Sequence, residues 1–126
     1  MLLSNYDITE AEIEGWKLLA PLSYLDPDRQ SEIEENTGGC GPGKLGDWFV
    51  PDYIWGESII LACRIHDWMY HIGINVMDKQ IADKVFLWNM VVLIDNGEIL
   101  DSARLRRVMS YYQAVSFGGA SAFRKE

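Results

Sequence analysis

The sequence predicts a small all-α, mostly helical domain with two long antiparallel core helices and a glycine-rich loop. Three observations predict it. Apolar residues recur at three-and-four spacing over residues 56–71, where Ile59, Ala62, Cys63, His66, Met69 and Tyr70 share one face. The same spacing returns over residues 78–94 at Ile81, Ala82, Val85, Phe86, Met90 and Val92. A turn at Gly73 and Asn75 leaves so short a connection that the two helices should form an antiparallel hairpin. Ahead of them, residues 36–46 read NTGGCGPGKLG, with five glycines and a proline in eleven residues. That composition demands unusual backbone angles or a close approach of backbone to a partner, and it cannot be helix.

The remaining elements follow the same logic. Asp7 or Thr9 is a candidate N-cap for a first helix carrying Ile13, Trp16, Leu18 and Leu19, which Pro21 ends. A second, short helix is expected near Asp26-Pro27-Asp28, with proline in its first turn and Ile33 as its apolar contact. After the glycine loop comes an aromatic connector, WFVPDYIWG. A short hairpin around residues 48–53 is the one strand pair the pattern allows. Asp78 reads as the N-cap of the second core helix, and Asp95-Asn96-Gly97 closes it. A last helix over residues 101–115 shows Leu105, Val108, Met109 and Tyr112 at helical spacing before Phe117-Gly118-Gly119.

A chain of 126 residues that is 48% hydrophobic, with five Trp, six Tyr and four Phe, can fill one core, so residues 1–126 are expected to form a single domain. Eleven Lys and Arg stand against 19 Asp and Glu, a formal charge of -8, which repels phosphate backbones and argues against a nucleic-acid partner. The start, MLLSNYDITEAEIEGW, shows neither a cationic opening nor an apolar run of signal-peptide length. Apolar runs such as residues 91–94 are too short to span a bilayer, so no transmembrane segment is expected. Two cysteines allow at most one internal disulfide.

The chemistry concentrates in CRIHDWMY, residues 63–70. Successive helical residues point about 100° apart, so His66 and Asp67 must serve different neighbours. Cys63 lies three residues before His66 and four before Asp67 and shares a face with both. Were Cys63 bonded to Cys40, the glycine loop would be fastened one turn from Asp67. A glycine loop can aim several carbonyls at one point, and with one carboxylate that donor set suits a hard cation, calcium above all. Asp67 would then be the ligand and His66 a general base, oriented by an acceptor on its other ring nitrogen. Asp83, set beside Ala82 and Phe86 in the partner helix, is the better candidate for that acceptor, because an unpartnered carboxylate there would be costly. These residues alone leave a hydrogen-bonded core histidine open beside a metal-assisted hydrolase.

The loop sequence CGPG, followed by C-x-x-H-D-x-x-Y at Cys63, His66, Asp67 and Tyr70 and by Ala82-Asp83 on the next helix, resembles the phospholipase A2 superfamily, closest to its compact viral, bacterial and phage members. The resemblance covers residues 38–86. It implies calcium held by the carbonyls of Gly39, Gly41 and Gly43 and by the carboxylate of Asp67. It implies His66 as the base on a water that attacks the sn-2 ester of a phospholipid, the backbone N–H of Gly41 as an oxyanion donor, Asp83 as the group that orients the imidazole, and Tyr70 as a hydrogen-bond donor to Asp83. It also implies a Cys40–Cys63 disulfide and a transient membrane interface. Leu45, Trp48, Phe49 and Trp55 are candidates for an interfacial rim, and Tyr111 and Tyr112 for a second supporting tyrosine. The alternative the resemblance leaves is a catalytically silent binding or structural module of a phage or virion assembly.

Overall fold

The computed structural model describes residues 6–37, 53–54, 57–95 and 102–118. In chain order these form β1 (Ile8–Ile13), β2 (Trp16–Pro21), a pair of 3-10 turns (Leu22–Leu25 and Pro27–Arg29), α1 (Gln30–Asn36), β3 (Tyr53–Ile54), β4 (Glu57–Ser58), α2 (Ile60–Ile72), α3 (Val76–Asp95) and α4 (Ser102–Gly118). Helices dominate, but the chain is not all-α. The described residues contain two two-stranded antiparallel sheets, β1 with β2 and β3 with β4.

The first sheet replaces the first expected helix. Ile13, Trp16 and Leu19 mimic helical spacing, but Glu14 and Gly15 sit at φ 50° and 88°, both in the left-handed region. Two consecutive positive φ values make the tight turn whose twist matches a β-hairpin, and glycine at the second position accepts it without strain. Alternating burial along β1 follows, with its Glu residues on one side. The register pairs Ile13 with Trp16 and ends at Ile8 with Pro21. Counting outward from the turn, Pro21 falls at a non-hydrogen-bonded pair, where its missing N–H costs nothing. Asp7 therefore caps no helix; its carbonyl accepts the Leu22 N–H at 2.9 Å, one step beyond Pro21.

Asn89 of α3 joins the hairpin to the helices. Its side-chain oxygen accepts the Leu19 N–H and its amide donates to the Leu19 carbonyl, both at 2.8 Å, so the side chain imitates a neighbouring strand. Asn89 is fully buried, and no water can take over these bonds. Replacing it with leucine fills the same space but leaves two backbone groups of β2 without partners. Asn89→Leu should therefore lower the unfolding free energy by about 2–4 kcal/mol, read as an earlier midpoint in urea denaturation.

The short helix near Asp26 forms as expected: the Asp26 carboxylate accepts the Asp28 N–H at 2.9 Å, and Ile33 of α1 is buried. Helices α2 and α3 pack against each other as antiparallel neighbours; Tyr70 and His66 both meet Asp83, and His66 then meets Phe86 further along α3. Their three-residue connection carries a capping box, but Asp78 is not the cap itself. Asn75 is, its side chain accepting the Asp78 N–H at 2.9 Å while Asp78 reaches back to the Ile74 N–H at 2.8 Å. The core gathers Leu18 and Ala20 from β2, Ile65 and Met69 from α2, Phe86, Met90 and Ile94 from α3, and Val108 and Val115 from α4. Tyr6, just ahead of β1, is buried with them and donates its hydroxyl to the Met69 carbonyl at 2.6 Å. Of the expected hairpin over residues 48–53, residues 48–52 lie outside the described residues; the short strand pair here starts at Tyr53.

Candidate active site

Helical period and packing together decide where each functional side chain points. His66 is fully buried on the α2 face that meets α3, with its ring 4.2 Å from the Tyr70 ring and 4.6 Å from that of Phe86, centroid to centroid. One ring nitrogen, Nε2, lies 2.8 Å from Asp83 Oδ1. The Tyr70 hydroxyl donates to that same oxygen at 2.7 Å. A carboxylate only accepts, so Nε2 carries the ring proton and Nδ1 keeps the basic lone pair. Nδ1 is buried and hydrogen-bonded to none of the described residues.

The second Asp83 oxygen has its own partner. Lys79, four residues earlier on α3, donates to Oδ2 at 2.7 Å, and the same ammonium lies 3.3 and 3.2 Å from the carbonyls of Val115 and Ser116 in α4. Lys79 is absent from the sequence-based site, because in sequence it is one more polar residue on a helix. Its helical distance from Asp83 was the only signal that pointed to it. Among the described residues it takes the supporting place for which Tyr111 and Tyr112 were candidates; those two pack at the edge of the core instead.

The electrostatics agree with these contacts. Burial pushes the His66 imidazole below its ordinary value, and the Lys79 charge adds to that, while Asp83 opposes it. Burial alone would raise the Asp83 carboxyl, but hydrogen bonds from His66, Lys79 and Tyr70 hold it below the usual range. Burial and the Asp83 charge raise Tyr70, so it remains a protonated donor. A neutral imidazole beside an ionised carboxylate is thus the resting state. Stability should follow pH accordingly. Above the ordinary imidazole value of 6.5 neither folded nor unfolded His66 holds the extra proton, and nothing changes. Below it the unfolded chain takes up a proton that the folded chain resists, so the unfolding free energy should fall by up to about 1.4 kcal/mol per pH unit. Asp83 adds a loss of the same sign only when pH drops through its depressed folded value, below 3.8. Urea unfolding at a series of pH values checks this, and His66→Gln should remove the component that begins below 6.5.

Asp67 occupies the adjacent face of α2, as the 100° step requires. The residue is only 5% exposed, and its charge acts on Tyr24 of the first 3-10 turn as well as on Tyr70. On that side a groove of about 500 Å³ runs between the hairpin turn and α1, lined by Glu12, Glu14, Tyr24, Glu34, Thr37 and Arg64 among others. Cys63, one turn before Asp67, is completely buried.

The structure therefore brings His66, Tyr70 and Asp83 together and sets Asp67 on the adjacent face. Gly39, Gly41 and Gly43, and with them Cys40, lie outside the described residues, as do Leu45, Trp48, Phe49 and Trp55. No family model, curated protein or solved structure matches the chain. Among the described residues no group of three or more His, Cys, Asp and Glu could hold a metal ion, and no helix is long and apolar enough to cross a membrane. A site built from one carboxylate and loop carbonyls would not form such a group. The buried Asp67 carboxylate is a hard oxygen donor of the kind calcium takes.

Proposed function

We propose that this chain is a calcium-dependent phospholipase A2-type hydrolase that cleaves the sn-2 ester of phospholipids. The observation that carries the reading is the His66 imidazole, held by Asp83 through Nε2 at 2.8 Å while Nδ1 is bonded to none of the described residues. A buried histidine with a purely structural role would spend both nitrogens. This one is fixed in orientation and tautomer and keeps a basic nitrogen available, which is what general-base catalysis requires.

Nδ1 takes a proton from water while the water oxygen bonds to the sn-2 carbonyl carbon. The resulting imidazolium is stabilised by the ionised Asp83, whose charge Tyr70 and Lys79 hold in place. When the tetrahedral centre collapses, the bond from carbon to the glycerol oxygen breaks, and Nδ1–H returns the proton to that oxygen. The products are a fatty acid and a lysophospholipid. In this reading Asp67 and the carbonyls of Gly39, Gly41 and Gly43 would hold calcium, and the Gly41 N–H would donate to the developing oxyanion. A calcium ion bound there would supply positive charge where negative charge accumulates in the reaction. The Cys40–Cys63 disulfide belongs to the same reading and ties the loop to α2; the described residues contain no free cysteine.

Two experiments test the parts. Calorimetric titration with calcium should show binding by the native chain and its loss in Asp67→Asn; undiminished binding by the variant would remove Asp67 as the ligand. Phospholipid labelled separately at sn-1 and sn-2 should release label from sn-2 alone. Release from sn-1 would point to a different ester hydrolase on the same residues.

A further inference from the structure

The Asp83 carboxylate is gripped at both oxygens, and its second grip comes from a residue that no motif includes. Oδ1 receives His66 and Tyr70, both from α2. With those contacts alone the carboxylate plane could turn about its last side-chain torsion, which for aspartate is broad. Lys79 on Oδ2 closes that freedom. We propose that Lys79 is a positioning residue for the Asp83 carboxylate, seated by the C-terminal carbonyls of α4, so that the last helix helps to hold the base.

Three features set this contact apart from an ordinary helix ion pair. The first is burial: the Lys79 and Asp83 side chains are 12% and 3% exposed, whereas the comparable pair Arg29 and Glu32 on the surface is 37% and 40% exposed. A pair as open as the second contributes little, because water screens it. The second is saturation. A lysine ammonium has three protons to donate, and here there are three acceptors, Asp83 Oδ2, Val115 O and Ser116 O. No donor is left over for water, so the ammonium has one seat. The third is the nature of the seat. Val115 and Ser116 fall in the last four residues of α4, whose carbonyls have no partner within the helix and carry the negative end of its dipole. The ammonium thus satisfies helix-end carbonyls and a carboxylate at once, and α4 is clamped to α3 beside the base.

The proposal rests on the hydrolytic reading of His66, and its test has an arm that does not. In the native chain the His66 Nε2–H proton, bonded to an ionised carboxylate, should give a slowly exchanging, downfield NMR resonance. In Lys79→Met, which keeps the stem and removes the donor, that resonance should move upfield and broaden as the carboxylate gains freedom. Lys79→Arg, which restores donors to Oδ2, should restore it. In the hydrolysis assay, kcat should fall by about 10-fold or more in Lys79→Met with KM within about two-fold, and Lys79→Arg should recover most of the loss. An unchanged ring resonance and kcat in a folded Lys79→Met would overturn the proposal, as would a change in KM alone. If the native chain releases no fatty acid, the proposed function fails, and the ring resonance alone decides the placing of Lys79.

Discussion

His66→Gln should abolish fatty-acid release, lowering the rate by about 10³-fold, the middle of the range that a positioned general base supplies, while the chain still folds. Glutamine is chosen because its side-chain amide can donate to Asp83 Oδ1 where Nε2 now does, so the carboxylate keeps a partner. What glutamine lacks is the basic lone pair of Nδ1. Stability should drop only modestly, by about 1–2 kcal/mol, for the ring lost from between Tyr70 and Phe86. A near-native circular dichroism spectrum with no hydrolysis is the expected pair of results. Substantial hydrolysis by the variant would show that some other group activates water.

Asp83→Ala has the larger effect on the fold. It removes both carboxylate oxygens from three donors at once, the His66 Nε2–H and the Tyr70 hydroxyl on Oδ1 and the Lys79 ammonium on Oδ2. The ammonium is the costly one, since a nearly buried charge loses its counter-charge while two carbonyls still hold it in place. The unfolding free energy should fall by about 3–5 kcal/mol, as when one partner of a buried pair is deleted. Removing the lysine as well should recover part of that loss. In Asp83→Asn with Lys79→Met, the amide oxygen still serves His66 and Tyr70 and no charge is stranded. A urea-denaturation cycle over native, Asp83→Asn, Lys79→Met and the double variant should therefore show a coupling of about 1–3 kcal/mol. Simple additivity of the two losses would mean that Lys79 and Asp83 do not act as a unit.

Much of the site was legible because it depends on short-range spacing. Helices α2 and α3 announce themselves by apolar residues three and four apart, and the 100° step alone separates His66 from Asp67. Asp83 was legible because a carboxylate between Ala82 and Phe86 needs a partner. What escaped were features whose partners lie far along the chain. The β1–β2 hairpin reads as helix in the sequence because Ile13, Trp16 and Leu19 fit a helical face, and the Glu14-Gly15 turn is visible only in its positive φ values. The anchor of that hairpin, Asn89, lies 70 residues from Leu19. Lys79 reaches carbonyls 36 and 37 residues away, and Tyr6 a carbonyl 63 residues away. Propensity and period carry no information about such pairs; only the packed chain does. Asp78 reads as the cap for a smaller reason: a capping box puts a side-chain acceptor at both the N-cap and the third helical position, and Asn75 caps as well as aspartate does.

On the proposed reading, His66 is the base of a calcium-dependent sn-2 hydrolysis. The most direct test is release of sn-2-labelled fatty acid from phospholipid vesicles by the native chain and by His66→Gln, each with calcium and with a chelator. The native chain in calcium should release the label, and the other three mixtures should stay at background. Equal release by native chain and variant, release that ignores the chelator, or none from the native chain in calcium would contradict that reading.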